Sequence, residues 1–89
     1  METRVAVISI IVENRAVVEE LNQLLHEYSE YVIGRMGIPY KAKRVNIICV
    51  AIDAPQNAIS TLSGKLGKLE GVSVKVAYSQ VTGVVEKQV

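Results

Sequence analysis

Tryptophan and phenylalanine are absent from the 89 residues, and cysteine, histidine and aspartate occur once each. A lone cysteine excludes a disulfide framework within the chain. One histidine and one cysteine are too few to fill a zinc site in a single chain. Without Phe or Trp there is no platform like that on which RNA-recognition sheets stack bases. An excess of charge of one sign is also lacking. Ten basic side chains against nine acidic ones leave a net charge of +1, which argues against a general nucleic-acid binder. Long hydrophobic runs are missing too. The longest, Val5 to Val12, is eight residues including Ser9, against the ~20 that a membrane helix needs. No signal-peptide cleavage pattern is present. The unpaired Cys49, inside an apolar run, suits a reducing cytoplasm.

What is present is apolar and periodic. Hydrophobic residues make up 49% of the chain, so one domain with a packed core is expected. Arg4 to Val12 is rich in β-branched residues and apolar at odd and even positions alike, as in a strand covered on both faces. Asn14 is a candidate N-cap. Val17, Leu21, Leu24, Leu25 and Tyr28 then follow at helical spacing, which predicts an amphipathic helix over about 15–30. Tyr31 to Met36 reads as a short strand with a weak point or bulge at Gly34. Gly37 to Lys41 reads as a turn, because Gly and Pro interrupt regular structure. Arg44 to Asp53 is the second doubly apolar strand. Pro55 suits the first turn of a helix, and Ile59, Leu62, Leu66 and Leu69 carry that helix to about residue 69. Gly64 and Gly67 lower its propensity and are expected to bring it close to the sheet. Gly71 stops it. Val72, Val74, Val76 and Tyr78 alternate with Ser73, Lys75, Ala77 and Ser79, as in a strand with one face toward water.

The order β-α-β-β-α-β is that of the ferredoxin-like split βαβ motif, an α+β fold with an antiparallel sheet of order 4-1-3-2. The domain is expected over 3–80, with a C-terminal tail over 81–89. Two helices cover only one face of such a sheet. The apolar second face of the central strands therefore calls for a second subunit, and a homo-oligomer, dimer or tetramer, is expected.

Few constellations carry chemistry. His26 sits on the polar face of the first helix, and Cys49 lies among aliphatics, where cysteine behaves as a small hydrophobe. Ser60, Ser63, Ser73 and Ser79 have no histidine at a suggestive spacing. Glu19 and Glu20 point about 100° apart on a helix and form no carboxylate pair. Ser63 to Lys68 has two glycines and two lysines but not the phosphate-loop spacing, and it lies inside a helix. No enzyme, no metal and no cofactor are expected. Arg35, Lys41, Lys43 and Arg44 place four of the ten basic residues in one ten-residue stretch, a candidate basic patch.

Two strings are distinctive: Ile33-Gly-Arg-Met-Gly-Ile-Pro-Tyr40 and Ile59-Ser-Thr-Leu-Ser-Gly-Lys-Leu-Gly-Lys-Leu-Glu-Gly-Val-Ser-Val-Lys75. With them the chain, over about residues 3 to 80, resembles the iron-only hydrogenase system regulators. The resemblance implies an ACT-like ferredoxin fold, similar to the C-terminal sensor domain of nickel-responsive repressors. It does not carry nickel sensing, which in those repressors uses histidines on the second strand. Here that strand reads Val32-Ile-Gly34-Arg35-Met36. It carries no operator-binding domain either. The loop Glu13-Asn14-Arg15 lacks the Gly or Pro that amino-acid-binding ACT domains often use after the first strand.

Residues and resemblance together imply a regulatory or sensor module, acting as a homo-oligomer through a small effector or a partner protein of the hydrogenase system. The candidate binding residues are Arg35, Met36, Gly37, Pro39, Tyr40 and Lys41, then Gly64, Lys65 and Gly67. Arg35 and Lys65 would supply charge for an anionic ligand. The alternatives are a ligand-free accessory or scaffold protein in metalloenzyme maturation, and a DNA-binding regulator acting through the basic hairpin.

Overall fold

The computed structural model describes residues 2–84. Its elements run β1 (Glu2–Val12), α1 (Val18–Glu27), β2 (Val32–Tyr40), β3 (Val45–Ala54), α2 (Gln56–Gly67) and β4 (Val72–Val84). The sheet order is β2-β3-β1-β4, with every neighbouring pair antiparallel. This is the expected 4-1-3-2 order read from the other edge, and the two doubly apolar strands are the central ones. No helix among the described residues is long and apolar enough to cross a membrane.

Alternation decides which side chains are buried. Ala6, Ile8, Ile10 and Val12 of β1 and Ile48, Val50, Ile52 and Ala54 of β3 point to one face. There they meet Leu21 and Leu25 of α1 and Ile59, Leu62 and Leu66 of α2 in a single core. Val72, Val74, Val76 and Tyr78 of β4 pack against its edge. Their neighbours in sequence face the other way. On that side Val5, Val7 and Ile11 are 39%, 40% and 45% exposed, large values for central-strand aliphatics.

The first helix is shorter than its periodicity suggests. Short 3₁₀ turns at Arg15–Val17 and Ser29–Tyr31 flank α1, and Asn14 caps the first of them by accepting from the Ala16 N–H at 3.0 Å. Pro55 stands one residue before α2, as its N-cap.

Two expectations are corrected. Gly37 to Tyr40 is strand, not turn. Here β2 is an edge strand, and an edge tolerates Pro39 because its missing N–H breaks no central ladder. The turn itself falls at Lys41–Lys43, closed by Arg44 in the left-handed region at φ 56°. Gly64 and Gly67 do not bring α2 close to the sheet. Both are exposed, and a Cβ on either would meet nothing within 4 Å. Strand β4 runs on to Val84 by pairing Thr82, Gly83 and Val84 with Arg4, Thr3 and Glu2. The rest of the expected tail, 85–89, lies outside the described residues.

Gly34 is close to a true irregularity. The β2–β3 register shifts between Val32 and Gly34, so Ile33 bulges out and is 63% exposed.

Candidate functional site

The edge strand β2 serves two surfaces. Arg35, Gly37 and Pro39 pair with Val50, Ile48 and Asn46, and so lie on the helix side of the sheet. Met36, Ile38 and Tyr40 pair with Cys49, Ile47 and Val45 and lie on the open side.

On the helix side, Gly37 and Pro39 present little bulk beneath α1, and a groove is left between α1 and β2. Arg35 spans it. Its Nη2 donates to Asn22 Oδ1 on α1 at 2.6 Å. This bridge divides the groove into two hollows. One, of about 370 Å³, has a floor of Leu25, Val32 and Val50 and a rim of His26 and Ser29. The other, of about 250 Å³, lies over Val18, Ile48 and Pro39. Among the described residues, no carboxylate lines either hollow, so the charge of Arg35 meets only a neutral amide oxygen there.

On the open side, Met36, Ile38 and Tyr40 are 55%, 46% and 49% exposed. They continue the apolar surface of Val5, Val7 and Ile11 across β3. Past Tyr40, Lys41 sits in the hairpin turn and shares a small hollow with Arg15 and Arg44. Gly64 and Gly67 lie on the solvent side of α2, and the Lys65 ammonium stands 5.8 Å from the centre of the Tyr28 ring. The candidate residues thus fall into four places: groove, open face, hairpin turn and α2. Arg35 and Lys65 do not share a partner; one holds Asn22 and the other lies over Tyr28.

Sequence reasoning missed Asn22 and Ser29 and left His26 as a solvated helix residue. Their spacing, i, i+4 and i+7, is one stripe of a helix and was the available signal. It also missed a polar cluster at the far end of the sheet. There the Arg4 guanidinium lies 4.3 Å over the Tyr78 ring and donates from Nη1 to Gln56 Oε1 at 2.8 Å. Gln56 Nε2 donates in turn to Tyr78 Oη at 2.9 Å and Ser60 Oγ at 3.1 Å. These bonds tie β1 and β4 to the start of α2, while the buried Arg4 Nε has no hydrogen-bond partner among the described residues. No group of three or more His, Cys, Asp and Glu side chains among the described residues is placed to hold a metal ion.

Residues 4–76 match the model of the family described as "TM1266-like: Iron-only hydrogenase system regulator, putative". The chain belongs to this family. Both distinctive strings, on β2 and along α2, lie within the matched span. Among solved structures, sixteen chains match. One is described as uncharacterized protein TM1266 from Thermotoga maritima. It is 32% identical, covers 85% of this chain and 96% of its own, and superposes with a TM-score of 0.82. No curated protein matches. The family's description names a system and a regulatory role. It names no ligand and no reaction.

Proposed function

We propose that this chain is a non-enzymatic, ACT-like regulatory module of an iron-only hydrogenase system, working in the cytoplasm as a homo-oligomer and answering to a small carboxylate held in the α1–β2 groove. The observation that carries the reading is Arg35, a cation over an apolar floor whose partner is the neutral side chain of Asn22. Ligand sites are mostly apolar with a few placed polar groups, and this groove has that make-up. A carboxylate offers a guanidinium two oxygens in matching geometry and a full opposite charge, where Asn22 offers one neutral oxygen. A ligand carboxylate would therefore take Arg35 from Asn22, with its apolar body on Leu25, Val32 and Val50.

Regulation needs the ligand to bias an assembly. Strand β2 supplies the link. Arg35 faces the groove while Met36, next in sequence, faces the open side. A ligand that moves β2 at Arg35 moves the docking residues with it.

The test is an NMR titration of the ¹⁵N-labelled protein with 4-methylpentanoate and phenylacetate, beside the corresponding primary amides. The acids are expected to shift Asn22, His26 and Arg35, the amides to do little, and Arg35→Gln to abolish the response. Equal responses to acid and amide, or an undiminished response in Arg35→Gln, overturn the carboxylate reading. No response to any probe returns the weight to a ligand-free accessory protein.

A further inference from the structure

The homo-oligomer above leaves open how two copies meet, and the open face of the sheet carries enough pattern to answer. We propose that two copies pack open face to open face with their strands antiparallel, each strand over its own counterpart, so that Asp53 of each copy reaches the Lys43–Arg44 turn of the other. The inference rests on the homo-oligomeric part of the preceding reading and adds its geometry.

The ladder gives the face as rows. Across β4, β1, β3 and β2 they read Ala77, Val7, Ala51, Gly34; then Lys75, Ser9, Cys49, Met36; then Ser73, Ile11, Ile47, Ile38. Val5 with Asp53 closes one end, and Val45 with Tyr40 the other. The apolar surface therefore lies on β1, β3 and β2, with β4 as a polar margin. Three apolar strands at ~4.8 Å spacing and nine residues at ~3.4 Å rise make a face of roughly 440 Å² in projection. That is over half of the ~800 Å² per partner buried in a standard interface, and the side chains standing out of the plane add to it.

Two copies of one surface meet about a two-fold axis. An axis along the strands through the middle of the sheet would lay β2 on β4, placing Met36 and Ile38 on Lys75 and Ser73. An axis across the strands lays each apolar strand on its own copy and leaves the β4 margins together. Sheets packed this way cross at about 30°, which splays the edges and keeps the two Lys75 side chains in water.

Charge agrees with the second choice. Cys49 is the midpoint of the β3 stretch from Val45 to Asp53. Reversal about Cys49 carries Asp53 onto Val45 of the other copy, next to Arg44 and one further from Lys43. Asp53 is the only acid among the residues of this face, and the turn it reaches carries Lys41, Lys43 and Arg44. The two-fold axis makes the contact twice. Addition of a second copy along the β2 edge is opposed by Pro39, which has no N–H to give, and by the bulge at Ile33.

The test is a charge-reversal cycle read by sedimentation equilibrium, with folding checked by circular dichroism. Asp53→Lys alone, and Lys43→Glu with Arg44→Glu, are each expected to weaken the dimer about tenfold or more by placing like charges together. All three substitutions combined are expected to restore it to within about threefold of the starting protein. Independently, a short bismaleimide is expected to crosslink Cys49 to Cys49 in the unmodified dimer, since packed sheets lie ~10 Å apart. A dimer that is indifferent to Asp53→Lys, is not restored by the triple variant, or does not crosslink at Cys49 overturns this arrangement and leaves self-association standing. A starting protein that stays monomeric at 100 µM by native mass spectrometry overturns both.

Discussion

A Cβ built on Gly71 would stand 2.7 Å from the Cβ of Asn14. The turn into β4 thus passes against the turn out of β1, and the Glu13 N–H donates to the Gly71 carbonyl at 2.7 Å. Gly71 also holds φ at +76°, in the left-handed region. Both the close approach and the dihedral require glycine. Gly71→Ala is expected to cost about 2–3 kcal/mol. For a domain of this size that is a loss of roughly 8–24 °C in melting temperature. A thermal scan showing no loss would mean that neither constraint holds in solution.

Gly64 is the opposite case. It lies in the interior of α2 with open space where its side chain would go. Gly64→Ala is expected to raise stability by about 0.8–1 kcal/mol, the propensity difference alone, in urea denaturation. A loss would show that the glycine is needed for a contact outside the single chain.

Asn22→Asp replaces the neutral partner of Arg35 with a carboxylate. The exposed ion pair so formed is worth at most about 1 kcal/mol, so stability should hardly change. The response to 4-methylpentanoate should be lost, because the new carboxylate competes for the guanidinium and repels the carboxylate of the ligand. Retained binding in Asn22→Asp would place the ligand elsewhere.

The two faces of β1 should respond differently. Ile8 is fully buried, and Ile8→Ala is expected to cost about 2–5 kcal/mol in urea denaturation. Val7, next to it, is 40% exposed, and Val7→Lys should leave the fold intact while shifting the protein to monomer in sedimentation equilibrium. A Val7→Lys protein that is still dimeric would remove the open face from the interface.

At the far end of the sheet, Tyr78→Phe removes the acceptor of Gln56 and keeps the ring under Arg4. The expected cost is about 0.5–1.5 kcal/mol. Tyr78→Leu removes the ring as well and should cost about 0.5–1 kcal/mol more. Equal costs for the two variants would assign no energy to the stacking.

The strands β1, β3 and β4 were legible because each states its environment in its own pattern: apolar throughout for the central pair, alternating for the edge. Strand β2 was not. Gly37 and Pro39 carry turn chemistry, and local reading has no way to know that the strand lies at an edge, where proline is tolerated. The glycines of α2 misled for a related reason, since a small residue marks close packing only if something is there to approach. At the candidate site, Arg35 stood out by its charge. Asn22, His26 and Ser29 did not, because nothing local says that β2 will lie beside α1 and bring Arg35 to Asn22. Which cations share a partner was equally hidden, and Arg35 and Lys65 lie on different elements.

Strand β1 is made first and completes its pairing last. Its ladder partners are β3 and β4, which follow it in the chain only after α1 and β2. During synthesis α1 can shelter the stripe of Ala6, Ile8, Ile10 and Val12 early, but both backbone edges of β1 stay bare until the later strands emerge. Its stretch from Val5 to Val12, uncharged, rich in β-branched residues and free of proline, is the kind that adds to its own copies. Non-local pairing of this sort is also slow to form. The window between the making of β1 and the arrival of β3 is therefore when this chain is most open to misassembly, and when a chaperone would find its binding site.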